Sequence, residues 1–157
     1  MNRILHFISI AIFSIFLGSQ ITEGILLVPY WKSLTTSAFY KYYSDFGPDI
    51  GKFYTTLTII SVLITLSVFY FCAIKKSSAL KYATLSTFFS LLVILLFYVY
   101  FKEVNQQFYQ SDFNEKQLQI ELNNWSNWHW LRVFFEVLSL VFLTLALNNL
   151  KHKSEIN

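Results

Sequence analysis

Ala83–Phe101 reads ATLSTFFSLLVILLFYVYF, 19 residues without a single charge. A run of about 18 or more apolar residues is the mark of a helix that crosses a hydrocarbon layer about 30 Å thick. Working outward, Phe53–Ile74 precedes this run, Trp128–Leu147 follows it, and Ile4–Trp31 opens the chain, interrupted by Gln20 and Glu23. None of the four keeps up a period-two alternation, which argues against strands. The expected fold is therefore all-α: one integral membrane domain over residues 1–157, a four-transmembrane-helix bundle with spans at about 4–31, 53–74, 83–101 and 128–147.

Composition agrees. Of 157 residues 55% are hydrophobic and 13% charged, whereas a soluble domain carries about 25% charged residues. Mean hydropathy is +0.46. The lipid bilayer is thus the first expected partner. Arg3 before an apolar stretch has the look of a secretory signal, but no A-x-A-like site follows and the segment stays apolar through Ile25–Val28, so it is read as a span. The one cysteine, Cys72, rules out an intramolecular disulfide and a Cys/His metal cluster. In its apolar run it reads as a packing residue. No phosphate-cradling glycine loop, zinc spacing, Ser–His–Asp arrangement or basic nucleic-acid stripe is present. No metal, cofactor or nucleic-acid partner is expected.

Orientation follows from the basic residues. Arg3, then Lys75, Lys76 and Lys81, then Lys151 and Lys153, fall in short segments on one side. Lys32, Lys41, Lys52, Lys102 and Lys116 are spread over longer loops on the other side, where Asp45, Asp49, Glu103, Asp112, Glu115 and Glu121 also fall. The positive-inside rule then puts both termini in the cytoplasm of a plasma or inner membrane. Two larger outer loops are expected at about 32–50 and 102–127, with Trp31, Trp125, Trp128 and Trp130 at the outer interface. Phe46-Gly47-Pro48-Asp49 predicts a tight turn before the second span. Asp112 followed by Glu115 predicts a capping box, and Leu118, Leu122 and Trp125 the stripe of a short amphipathic helix over 113–124, lying on the membrane before the last span. Ser14, Gly18 and Thr22, Ser61 and Thr65, and Ser86 and Ser90 recur every four residues, a pattern that permits close helix approach and a homo-oligomer.

Charges within apolar helices are costly and point to function. Glu23 stands near the outer end of the first span, with Ser19 and Gln20 on its face. In the fourth span His129, Arg132 and Glu136 share one face, within about 60° of arc at 100° per residue. The economical arrangement turns this face toward the first span, so that Arg132 meets Glu23 and Glu136. A structural ion pair between helices would use the same residues.

At these positions the chain resembles the four-helix membrane family that includes the fungal anthrone oxygenases. The likeness lies in GSQITEGILLVPYW (Gly18–Trp31), FYKYYSDFGP (Phe39–Pro48), Asn105 after the third span, and WSNWHWLR (Trp125–Arg132) opening the fourth. With the helix count it covers nearly the whole chain. The resemblance implies oxygen insertion at an activated methylene of a lipophilic polycyclic phenol, giving a quinone without metal or flavin. Such chemistry needs a base and a cation for the enolate oxygen. The expected catalytic residues are Glu23 or His129 as base and Arg132 as oxyanion partner. His129 is favoured as base, because an adjacent guanidinium makes a carboxylate a weaker one. Tyr30, Trp31 and Trp130 would stack on a flat substrate, and Asn105 and Glu136 would complete its site. The competing expectation is a non-catalytic membrane protein, a small transporter subunit or an assembly factor.

Overall fold

In a computed structural model of the chain, residues 3–154 are described and all lie in helices or the short turns between them. Side chains are described from Ile4 to Leu150, so those of Arg3, Lys151, His152 and Lys153 fall outside. Four long helices form the bundle: α1 (Ile4–Ser33), α2 (Thr36–Ile74), α3 (Leu80–Gln110) and α4 (Glu115–Ser154). Each is long and apolar enough to cross a membrane. Around the bundle α1 packs on α4, α4 on α3, α3 on α2 and α2 on α1.

The helices run past the apolar segments, and this changes the expected outer loops. α2 has 39 residues and α4 has 40; at 1.5 Å per residue each is about 60 Å long, twice the hydrocarbon thickness. Where loops were expected at 32–50 and 102–127, the chain is helical except at short turns around Leu34–Thr35 and Ser111–Asn114. The turn expected at Phe46–Asp49 is absent, and Pro48 lies inside α2. Proline removes the N–H that would serve the Ser44 carbonyl. Ser44 and Pro48 are both exposed, so that carbonyl is not sealed in a core and the helix continues.

The separate helix expected over 113–124 is likewise absent. Residues from Glu115 onward are the first turns of α4, and no glycine or proline interrupts them. Leu118, Leu122 and Trp125 do form a stripe, but it is buried against protein rather than laid on a membrane. Their partners are Trp31, Phe39, Phe101 and Phe108, an aromatic cluster that caps the bundle at one end. The cap residue is also displaced. Asn114, not Asp112, starts the helix: Gln117 N–H donates to Asn114 Oδ1 and Asn114 N–H to Gln117 Oε1, both at 3.0 Å. This is a capping box two residues further on.

A second cluster, with Phe13, Phe16, Val68, Cys72 and Leu143, fills the other end. Cys72 is fully buried there, as a packing residue would be. Small polar residues join the middle of the bundle. Thr65 and Ser90 hydroxyls meet at 2.8 Å, and the Ser86 and Ser139 hydroxyls each donate to the other's carbonyl at 2.9 Å. The predicted role of Ser86, Ser90 and Thr65 is thus realised. Within the chain no helix approaches Gly18: a Cβ added there would meet nothing within 4 Å. The close approach is at Gly24, where a Cβ would lie 2.9 Å from Trp130 Cζ2 and 3.0 Å from His129 Nε2.

Two π-helical turns interrupt the long helices, Glu23–Leu27 in α1 and Phe97–Phe101 in α3. In each the closing N–H reaches back five residues, Val28 to the Glu23 carbonyl and Lys102 to that of Phe97. Such turns shift the side chains on either side and cluster at functional sites. Both here abut the same cavity.

Candidate functional site

Gln20, Glu23, His129 and Arg132 meet where α1 crosses α4, all of them buried. The lever is Gly24, which lets His129 and Trp130 approach the α1 backbone. Arg132 Nη2 then reaches three acceptors at once: Gln20 Oε1 at 2.7 Å, His129 Nδ1 at 2.7 Å and Glu23 Oε2 at 3.0 Å. The guanidinium also lies over the Phe101 ring, with Cζ 4.6 Å from its centroid, a cation–π contact.

The state of His129 follows from its partners. Its Nε2 is 2.9 Å from the Gln20 backbone carbonyl, which only accepts, so Nε2 carries the proton. Its Nδ1 faces Arg132, which only donates, so Nδ1 supplies a lone pair. Trp125 stacks on the ring at 5.1 Å and 11°. Both ring nitrogens are thereby committed and the residue is sealed. His129 thus touches the α1 backbone through one ring nitrogen and Arg132 through the other, with Nδ1 3.6 Å from Glu23 Oε2.

Glu136 stands one turn further along α4, fully buried. The expected contact with Arg132 is not made: among the described residues Arg132 pairs with Glu23, and neither Glu136 oxygen has a hydrogen-bond partner. The i,i+4 spacing does put the two on one face, but Gln20 and Glu23 on α1 and His129 one turn back on α4 draw the guanidinium away from Glu136.

Beside this cluster lies a cavity of about 270 Å³. That is near the lower end of the range of about 300–1,000 Å³ for small-molecule sites. Glu23 and Arg132 form its polar end, with Trp31, Tyr43, Asn105 and Trp125 around them. Trp125 is held by a 3.0 Å bond from its Nε1 to Asn105 Oδ1. Of the residues expected to meet a ligand, Trp31 and Asn105 line the cavity; Tyr30, Trp130 and Glu136 do not. Tyr30 is 47% exposed and packs edge-on against Tyr42, and Trp130 is 42% exposed over Gly24. Both point outward because α1 and α4 turn their other faces to the cavity.

Gln20, Trp125 and Tyr43 were not among the expected site residues. The first two carried a signal: Gln20 is three residues before Glu23, and Trp125 four before His129, each on the face already singled out. Tyr43 carried none, because its place depends on α2 continuing through Pro48.

Comparison with protein-family models, with curated proteins and with solved structures finds no match.

Proposed function

We propose that this integral membrane protein is a cofactor-independent oxygenase of the anthrone-oxygenase type, acting on a lipophilic phenolic substrate. One observation carries the reading: Glu23 and Arg132 stand side by side in the wall of a cavity lined mainly by aromatic and apolar residues. A carboxylate beside a guanidinium is the pair needed to remove a proton next to a carbonyl and hold the resulting enolate oxygen. A substrate oxygen that takes up the guanidinium frees Glu23 to act as the base. The carbanion then reduces dioxygen. The methylene is oxidised to a carbonyl: one oxygen atom of the dioxygen stays on that carbon, and the other leaves as water with both methylene hydrogens. Trp31 and Trp125 supply flat walls, and Gln20 and His129 hold Arg132 in place. In this reading the Lys75–Lys81 turn and both termini face the cytoplasm.

A second reading has an observation in its favour. The bonds from Arg132 join α1 to α4, as a purely structural network would. The chain would then be a non-catalytic transporter subunit or assembly factor. The test is oxygen uptake and quinone formation by membranes given a simple anthrone, with Arg132→Ala and Glu23→Gln variants checked for folding in detergent. Turnover above the spontaneous rate that disappears in a folded variant supports the oxygenase; rates equal to those of control membranes overturn it.

A further inference from the structure

The cavity has walls of two kinds. Its residues from α1 and α4, Glu23, Trp31, Trp125 and Arg132, are all buried. Its exposed residues come from the other two helices: Gly51, Thr55 and Ile59 on α2, and Phe97 and Tyr98 on α3. A residue that lines a cavity and also meets the surroundings stands at its mouth. Gly51, Thr55 and Ile59 follow one another every four residues, so they form one stripe along α2. Across from them the π turn Phe97–Phe101 sends Phe97 and Tyr98 to the opposite rim, and Phe101 inward beneath Arg132.

The surroundings of that mouth can be read from the charges. On α2 the exposed pair Asp49–Lys52, 3.6 Å apart, marks the edge of the apolar segment, and on α3 Lys102 and Glu103 do so. Thr55, Ile59, Phe97 and Tyr98 all lie on the apolar side of those marks, and no charged residue intervenes between Phe53 and Ile74 or between Ala83 and Phe101. The rim is therefore at hydrocarbon depth. Glu23 and Arg132 line the same cavity as this rim.

We propose that the site is loaded sideways from the bilayer, through a portal between α2 and α3 rimmed by Thr55, Ile59, Phe97 and Tyr98. The ligand is a flat lipophilic molecule that partitions into the membrane and enters with a single polar oxygen leading, toward Arg132. This rests on the proposed function for the ligand's chemistry, while the portal itself rests on geometry.

The test uses the full chain in lipid nanodiscs, with Cys72→Ser and Ile59→Cys. Two maleimides are compared, an uncharged phenyl and a sulfonated one. Association of 1,8-dihydroxyanthraquinone, a product-like probe that is not oxidised, is then followed by tryptophan quenching before and after labelling. The phenyl reagent is expected to react at least tenfold faster, and its adduct to slow probe association at least tenfold. The same adduct at Ile60→Cys, exposed but outside the cavity, is expected to leave association unchanged. Equal reaction with the sulfonated reagent, or unchanged association after labelling of the Ile59→Cys variant, overturns the portal. A probe that fails to bind the unlabelled protein overturns the proposed substrate class, and the maleimide comparison alone then decides the portal.

Discussion

Arg132 on α4 places Nη2 3.0 Å from Oε2 of Glu23 on α1, with both side chains nearly sealed from the surroundings. The other pair of formally charged side chains among the described residues, Lys52 and Asp49, is exposed and local to one helix. The two cases differ in weight. An exposed pair contributes about 0–1 kcal/mol. Removing one partner of a buried pair leaves a charge without compensation and costs about 3–5 kcal/mol. Arg132→Ala is expected to lose that much stability, read as a large drop in thermal unfolding temperature in detergent. The double change Glu23→Gln with Arg132→Met, which leaves no orphan charge, is expected to recover most of it while remaining inactive. Equal stability of the single and double variants would show that the pair is not the element holding α1 to α4.

His129 and Glu23 both touch Arg132, but Glu23 alone of the two lines the cavity. Glu23→Gln is therefore expected to abolish oxygenation. His129→Asn is expected to slow it by roughly tenfold, since each 1.4 kcal/mol of lost positioning is about a factor of ten. Measured together, kcat and KM separate the roles. A His129 variant as dead as the Glu23 variant, with substrate binding intact, would return the base to His129.

Gly24 and Gly18 look alike in the sequence and should behave in opposite ways. A methyl group at Gly24 meets Trp130 and His129 at 2.9–3.0 Å, and the His129 ring is bonded to the Gln20 carbonyl and cannot yield freely. Gly24→Ala is expected to push α1 from α4, cost about 1–3 kcal/mol and weaken the Arg132 network. Gly18→Ala meets nothing, and replacing a helical glycine gains up to about 1 kcal/mol. Unfolding curves for the two variants test this; a neutral Gly24→Ala would mean that the helices separate at no cost.

How far the sequence could be read follows from what each feature depends on. The four spans depend on local hydrophobicity, and each apolar run does lie within one long helix. The partnership of Glu23 with Arg132 was legible because the cost of an isolated charge in an apolar helix leaves few alternatives. The missing loops were not. Pro48 is a helix breaker in general, yet its exposed position leaves the Ser44 carbonyl open, and tertiary contacts of Phe39 and Tyr43 hold the preceding turns of the helix. The stripe Leu118–Leu122–Trp125 has the same period whether it packs on lipid or on Phe101 and Phe108, so periodicity could not choose. Nor could it show that Tyr30 faces away while Trp31 faces in, since the π turn at Glu23–Leu27 rotates the faces of α1.

The cap of α4 offers a local test. Asn114 and Gln117 exchange backbone N–H bonds at 3.0 Å, whereas Asp112 lies outside the helix and no side-chain hydrogen bond ties it to this cap. Asn114→Ala is expected to cost about 1 kcal/mol, the usual worth of such a cap, and to speed hydrogen exchange in the first turn of α4. Asp112→Ala is expected to change neither. If Asp112→Ala were the costly change, the helix would start two residues earlier than its hydrogen bonds indicate.

Orientation is open to the same kind of test through the two turns. Lys75 and Lys76 lie in the exposed turn between α2 and α3, and Lys81 follows on the first turn of α3. Asp112 lies in the turn between α3 and α4, at the opposite end of the bundle. Basic residues in short segments stay on the cytoplasmic side. In a Cys72→Ser background, Ser78→Cys is expected to react with a membrane-impermeant maleimide only after vesicles of known sidedness are opened to the cytoplasmic face. Asp112→Cys is expected to react from the outside without opening. The reverse pattern would invert the protein, place the aromatic cap in the cytoplasm, and move the Glu23–Arg132 end of the cavity to the inner leaflet.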